Sequence, residues 1–331
     1  MRFVLASLVA LAGCTSATTA KPAPQTQQAL WTAQSSTTNN HLRGVWGTSA
    51  GDVYAVGANA TILHTGNHGA AWTAQQTDGL PLLFSIGGTG PRDLHAVGTG
   101  GVAYHSEDGG ATWTLKKTGS YLPLHSVWAA PAGKVFVAAG DDLSGSQVLS
   151  TTGSADWAVT TAIGEVATPR PDAPEPAELL AIWGVGDDLF AVGEDEMSGG
   201  GSLVMHSADG GKSWTKRTNE VPEHLMSVWG SSAGDVYAVG HNGMIVRSTD
   251  RAASWTRLAS GTDNTLYAVW GSGPGDVYAV GDQGTILHSA DQGKSWQPQA
   301  SGSKKWLSGI WGSGPNDIYV VGEDGTVLHH G

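Results

Sequence analysis

A 31-residue stretch, LYAVWGSGPGDVYAVGDQGTILHSADQGKSW (Leu266 to Trp296), recurs in altered form along most of the chain, and this repetition limits the fold more than any other feature. It reads as four short strands, LYAVW, DVYAVG, TILHS and SWQPQ, parted by Gly-, Pro- and Asp-bearing turns that interrupt any helical period. Aligned copies open at Leu42 to Trp46, Leu83 to Gly87, Leu124 to Trp128, Leu179 to Trp183, Leu225 to Trp229, Leu266 to Trp270 and Leu307 to Trp311, with spacings of 41, 41, 55, 46, 41 and 41 residues. Four strands at a period near forty residues is the pattern of propeller blades, none of which can bury both faces alone. The expected fold is all-β: a single seven-bladed β-propeller of four-stranded blades over residues 30–331.

Trp72, Trp113, Trp157, Trp214, Trp255 and Trp296 mark the start of the last strand in the first six units, whereas the seventh reaches Gly331 without one. A matching strand lies at the other end of the chain, where Ala29 to Gln34 repeats the WTAQ of Trp72 to Gln75. The N-terminal strand is therefore expected to complete the last blade and lock the ring without a covalent bond. Of the 14 tryptophans, seven then fall on outer strands and six on first strands, where the second unit has Gly87, and Trp306 stands outside the pattern.

Met1-Arg2, the apolar run Phe3 to Ala10 and Leu11-Ala12-Gly13-Cys14 form the basic head, hydrophobic stretch and small-residue cleavage pattern of a secretory signal. The segment resembles a bacterial lipoprotein signal with its L-A-G-C box, which implies cleavage before Cys14, diacylation of that cysteine and export. Thr15 in place of an aspartate implies, by the same resemblance, the outer membrane. Residues 1–13 are then a signal peptide, and residues 14–29 the lipidated cysteine and a polar tether containing two prolines. The formal charge of −12 leaves no Lys/Arg stripe to neutralise phosphates, which argues against nucleic acid. With one cysteine no intramolecular disulfide can form.

Three units carry S-x-D-x-G-x-[ST]-W between their third and fourth strands, with Asp108, Asp209 and Asp291 at the acidic position; incomplete versions hold Asn67, Thr152 and Asp250. This resembles the Asp-box of sialidase-like propellers, and the blade as a whole resembles the repeat of photosystem II assembly factors found in bacterial lipoproteins. The resemblance covers residues 30 to 331 and concerns fold and repeat. The expected role of the aspartate is structural: it accepts hydrogen bonds from its own turn, and such a turn leaves few groups free for a metal.

In such a blade the loops joining strands two and three, and strand four to the next blade, share one face. Most irregularity falls there: a proline-rich insertion at residues 160–178 and enlarged loops from Asp141 to Gln147 and Glu194 to Ser202. Function resides in loops on a rigid scaffold more often than in the scaffold. The second residue of each first strand, at the channel mouth on that face, is Arg43, Phe84, His125, Leu180, Met226, Tyr267 or Ser308, while its neighbours barely vary. Two readings fit, a ligand-shaped ring or a half-exposed position that drifts. Trp306 adds an aromatic of the kind that anchors interfaces and sugar sites.

Two further groups invite a metal reading. His64, His105, His206, His288 and His329 end the third strands, with Leu149 and Arg247 in the other two units. Blades stacked about 10 Å apart cannot bring them within about 2.1 Å of one ion, so inter-blade packing and hydrogen bonding are expected instead. Asp141, Asp142, Glu194, Asp195 and Glu196 are expected to form a solvated acidic rim; Gly199 to Gly201 would let that loop wrap a calcium ion, but the ligand spacing matches no calcium loop. No pattern calls for a cofactor.

The sialidase resemblance implies three arginines around a carboxylate and a Tyr/Glu nucleophile pair. Only Arg43 lies on an inner strand, with Arg92 in a turn on the opposite face and Arg247 on a third strand. Xyloglucan-active relatives use two aspartates facing each other across two propellers, and one is present. No nucleophile, base and orienter can be named. The expected function is therefore a lipid-anchored extracytoplasmic propeller in the bacterial envelope that binds an envelope protein or peptide through Arg43, Phe84, His125, Met226, Tyr267 and Trp306. The alternative is a carbohydrate-binding or carbohydrate-cleaving surface protein.

Overall fold

A computed structural model describes residues 30–77, 79, 81–141, 144–153, 155–163, 177–195, 201–217 and 221–331. Cys14 and the proposed signal and tether lie outside these residues, as do Asp142, Glu196 and residues 164–176 of the insertion. Among the described residues no helix is long and apolar enough to cross a membrane.

The second strand of a repeat shows no in–out alternation because it has neighbours on both faces: Asp235–Gly240 is buried at every position. Such a strand must sit between stacked sheets, and seven four-stranded antiparallel sheets provide that stacking. The innermost strands, Leu42–Ser49, Leu83–Gly88, Leu124–Ala129, Glu178–Val185, Leu225–Ser232, Leu266–Gly273 and Leu307–Gly314, each lie beside the next, and the last lies beside the first. The ring is therefore closed around a channel. Its seventh sheet takes its rim strand, Thr32–Gln34, from the opposite end of the chain, with Thr32 opposite His329 and Gln34 opposite Val327.

Each of the seven apolar clusters is shared by two consecutive sheets; Leu42, Val53, Leu63 and Trp72 of the first, for example, meet Tyr319, Val321 and Val327 of the last. A fully buried leucine such as Leu42 contributes roughly 1.5–3 kcal/mol, so cohesion is spread around the circle. The outer tryptophans precede their strands rather than opening them, as Trp72 does before Thr73–Ala74.

A Trp-Gly pair on the innermost strand sets the sheet-to-sheet fit. A Cβ on Gly47, Gly88, Gly184, Gly230, Gly271 or Gly312 would lie 2.5–3.0 Å from the indole of Trp311, Trp46, Trp128, Trp183, Trp229 or Trp270, each belonging to the preceding sheet. Glycine is needed wherever a tryptophan arrives. Where the second sheet has Gly87 instead of tryptophan, the receiving position in the third sheet is Ala129.

The third sheet departs from the expected alignment. Phe136 pairs with Ser150, as Tyr54 pairs with His64, so Ser150 rather than Leu149 takes the histidine's place. The turn position assigned to Thr152 accordingly falls to Gly153, because residues added in this unit shift the third strand. Much of the enlarged loop from Asp141 is absorbed by longer strands, Lys134–Asp141 and Gly145–Thr152.

Candidate functional site

In all seven innermost strands the ladder slips by one residue after the opening leucine, between Leu42/Gly44, Leu83/Ser85, Leu124/Ser126, Leu179/Ala181, Leu225/Ser227, Leu266/Ala268 and Leu307/Gly309. The skipped residues are the seven variable ones: Arg43, Phe84, His125, Leu180, Met226, Tyr267 and Ser308. A bulge re-aims the side chain of its extra residue, and every one of these residues is half-buried. Leu42 pairs with Gly57, where the loop joining strands two and three begins, so the ring lies beside those loops.

The ring is not one continuous cluster. Arg43 sits over the Trp306 ring at 4.8 Å, and Tyr267 meets the same ring edge-on with centroids 6.2 Å apart. Burial lowers the Arg43 pKa from its ordinary value. Its Nε is buried without a hydrogen-bond partner. Burial, then the charge of Asp282 and a hydrogen bond to it, raises the pKa of the Tyr267 hydroxyl, so it stays protonated. A guanidinium is thus held over the Trp306 ring with Tyr267 on that ring's edge, and its Nε is left without a partner.

Phe84 and His125 form a second pair, with centroids 4.9 Å apart, and His125 Nε2 lies 2.9 Å from Glu178 and 3.0 Å from the Gly140 carbonyl. Ser308 turns inward and donates to the Leu42 carbonyl at 2.6 Å. Met226 and Leu180 present apolar surface between the two pairs.

Sequence reasoning missed a second variable column. The residue just before each opening leucine is His41, Leu82, Pro123, Glu178, His224, Thr265 or Trp306, so Trp306 is a member of the repeat rather than an addition to it. His41 meets Trp306 edge-on at 5.7 Å, and His224 Nδ1 lies 3.1 Å from Glu194. The change of chemistry at that column was the available signal.

The three acidic-rim residues that are described, Asp141, Glu194 and Asp195, are paired rather than solvated. Asp195 is 3 % exposed with Lys216 Nζ at 2.5 Å, Glu194 faces His224, and Asp141 accepts from the Ser144 N–H at 2.5 Å. The third-strand histidines hydrogen-bond within their own sheet, not between sheets: Nε2 of His64, His105, His206, His288 and His329 lies 2.6–2.8 Å from Asp52, Asp93, Asp188, Asp276 and Asp317. Ser or Thr donates to the other carboxylate oxygen in four of these sheets, as Ser313 does to Asp317 at 2.6 Å. In these four sheets the aspartate lies between hydroxyl and imidazole, so the imidazole is not placed to take the hydroxyl's proton. Arg247 replaces histidine and pairs with Asp235 at 2.7 Å, while Arg92 reaches the Glu107 carbonyl at 3.4 Å.

At the opposite face Asp108 accepts from the Thr112 N–H and Oγ1 at 2.9 and 2.7 Å; Asp209 and Asp291 do the same with Ser213 and Ser295. These bonds, that from the Thr112 hydroxyl first, lower the Asp108 pKa to about 2. Asp250 keeps the geometry although Ala252, at φ 59°, stands where the others have glycine.

Two groups among the described residues place three metal-ligating atoms together: Asp93, His95 and His105, and His41, Glu323 and Asp324. In the second, His41 Nδ1 accepts the Asp324 N–H at 3.2 Å, and Lys305 Nζ lies 3.3 Å from the Asp324 carboxylate, so two of its three residues already have partners.

A family model described as the DUF6242 beta propeller domain matches residues 7–233 and 177–307. Among solved structures, YCF48 from Cyanidioschyzon merolae is 16 % identical with a TM-score of 0.71, covering 91 % of this chain and 98 % of that one. A structure described as YCF48 bound to D1 peptide is 19 % identical at a TM-score of 0.72, covering 91 % and 96 %. The GH74 xyloglucanase from Xanthomonas campestris is 15 % identical at a TM-score of 0.62, covering 89 % of this chain and 52 % of the enzyme. These likenesses establish the propeller fold. No curated protein matches.

Proposed function

The chain belongs to the DUF6242 β-propeller family, and from that premise we propose that it is an exported binding propeller that takes a protein or peptide partner across the channel mouth. The observation that carries this reading is Arg43: a guanidinium held over Trp306 beside Tyr267, its Nε buried and without a partner. An unpaired buried donor costs about 1–3 kcal/mol, a cost that is removed when binding shifts the guanidinium so that an acceptor reaches Nε. Arginine between aromatic rings is also the composition of interface hot spots. The solved structure of YCF48 with D1 peptide supports the reading, since a propeller of this fold there carries a peptide. On the same proposal the partner belongs to the cell envelope, and Cys14 carries the lipid that holds the protein at the outer membrane.

Cross-linking in the intact envelope, repeated with Arg43→Ala, Tyr267→Ala and Trp306→Ala, tests the face. Adduct is expected to fall with each variant at unchanged melting temperature; undiminished adduct rejects this surface. Cys14→Ser is expected to release the protein from the membrane fraction. The edge-on pair of Tyr267 and Trp306 also suits a sugar ring, so retention on a glycan array with no envelope adduct would favour the carbohydrate reading.

A further inference from the structure

The second sheet breaks the repeat at two facing positions. Gly87 stands where the other six have tryptophan, and across the ladder from it His95 replaces the residue that is Tyr54, Phe136, Phe190, Tyr237, Tyr278 or Tyr319 elsewhere. The third-strand histidine, His105, is retained, so one sheet holds two imidazoles side by side with centroids 4.4 Å apart and planes 13° apart. Both Nε2 atoms face Asp93 Oδ1, at 2.6 Å from His105 and 3.5 Å from His95. All three ligand atoms lie within 4.8 Å of one another. His95 is 2 % exposed, yet its Nε2 makes no well-formed hydrogen bond, with Asp93 Oδ1 held off at 3.5 Å. A buried polar atom left this way is uncommon in a folded protein and calls for a ligand or another explanation. The separation of sheets that keeps the third-strand histidines from sharing an ion does not apply, because His95 and His105 belong to one sheet.

We infer that Asp93, His95 and His105 form a binding site for a divalent transition-metal ion of the zinc class. Two imidazoles and a carboxylate suit Zn²⁺, Co²⁺ or Ni²⁺ and disfavour Mg²⁺ and Ca²⁺, which take oxygen ligands. The ion enters between the two Nε2 atoms and the carboxylate oxygen. Asp93 Oδ1 withdraws from His105, and the rings open from their parallel stack so that their lone pairs converge at about 2.0–2.1 Å. The Thr89 hydroxyl donates to the other oxygen of Asp93 and fixes that carboxylate from behind. Access is from the Asp93 side, whose side chain is 29 % exposed. Bound there, the ion ties the second strand to the third in the one sheet that lacks the tryptophan wedge.

The purified full chain, stripped with a chelator, is titrated with Zn²⁺ by calorimetry and with Co²⁺ by visible absorbance. One equivalent is expected to bind, with Co²⁺ ligand-field bands and a rise in melting temperature that EDTA reverses. His95→Tyr, which installs the residue of four other sheets, is expected to abolish the bands while keeping the fold, and His105→Gln does the same by removing the other nitrogen. His41→Ala is expected to leave binding intact. Absence of saturable Zn²⁺ binding to the native chain, or equal binding by the folded His95→Tyr protein, overturns the site.

Discussion

The indole N–H of Trp31 donates to Oε1 of Gln299 across 2.7 Å, tying the rim strand supplied by the N-terminus to the preceding sheet. On its other side the same strand accepts: Trp72 Nε1 donates to Gln34 Oε1 at 3.0 Å. The repeated WTAQ thus has a physical meaning: Trp31 and Trp72 each donate backward around the ring and the glutamine three residues later receives the next tryptophan, although the relay does not run the whole circle, since Nε1 of Trp214, Trp255 and Trp296 is buried without a partner. Trp113 continues the series by donating to Gln75 at 2.9 Å. Closure by a strand of only three residues is thereby held from both sides.

Gln299→Ala leaves the N–H of Trp31, a residue 3 % exposed, without its acceptor. Loss of about 1–3 kcal/mol of unfolding free energy is expected, read from urea titration. A change indistinguishable from zero would mean that the bond contributes nothing to closure.

The Trp-Gly fit predicts a sharper effect. A Cβ at Gly312 would lie 2.6 Å from Trp270 Cη2 and 2.7 Å from the Asp317 carbonyl, so Gly312→Ala is expected to cost about 1–3 kcal/mol by overpacking. Gly87→Trp restores the missing wedge but drives it against Ala129. In a double-mutant cycle Ala129→Gly should recover part of that loss, with a coupling of about 0.5–3 kcal/mol; additive costs would show that the two exceptions to the repeat are unrelated.

Acid should weaken the turns that carry the aspartates. Hydrogen bonds from Thr112, Ser254 and Ser295 lower Asp108, Asp250 and Asp291 to about 2 from an ordinary 3.8. A depressed carboxylate stabilises the folded state fully above its unfolded value, and that contribution disappears as pH falls through the folded value. Unfolding free energy is thus expected to decline between about pH 4 and about pH 2. Asparagine at Asp108, Asp209, Asp250 and Asp291 should flatten this segment of the profile, and an unchanged slope would assign the acid loss to other groups.

The proposed binding face has Arg43 contribute to binding at the expense of stability. Arg43→Met keeps the stem over Trp306 and removes the buried Nε, so it should leave unfolding free energy unchanged within about 1 kcal/mol or raise it. A larger loss measured by urea titration would make the guanidinium a structural group.

The ring and its closure were legible because both are written as repetition: the leucine that opens each unit, the second strand DVYAVG and the WTAQ repeated at Trp31 and Trp72. The variable position was legible as a column of changing residues, although the bulge that explains it leaves no mark in composition. Sheet-to-sheet contacts were not legible, since Trp311 and Gly47 meet only once the ends are joined. The Asp52–His64 bond was hidden for a related reason: its partners lie 12 residues apart on neighbouring strands and show their relation only in register. In the third sheet the longer unit displaced the alignment by one residue, enough to exchange Ser150 for Leu149.

A photo-reactive residue placed in turn at Phe84 and Met226 on the mouth, and at Glu107 and Lys294 on the opposite turns, tests the binding face most directly in living cells. Adducts to a protein partner are expected from Phe84 and Met226 and not from Glu107 or Lys294. Adducts confined to the turn face, or absent from all four positions, would contradict a partner held across the channel mouth.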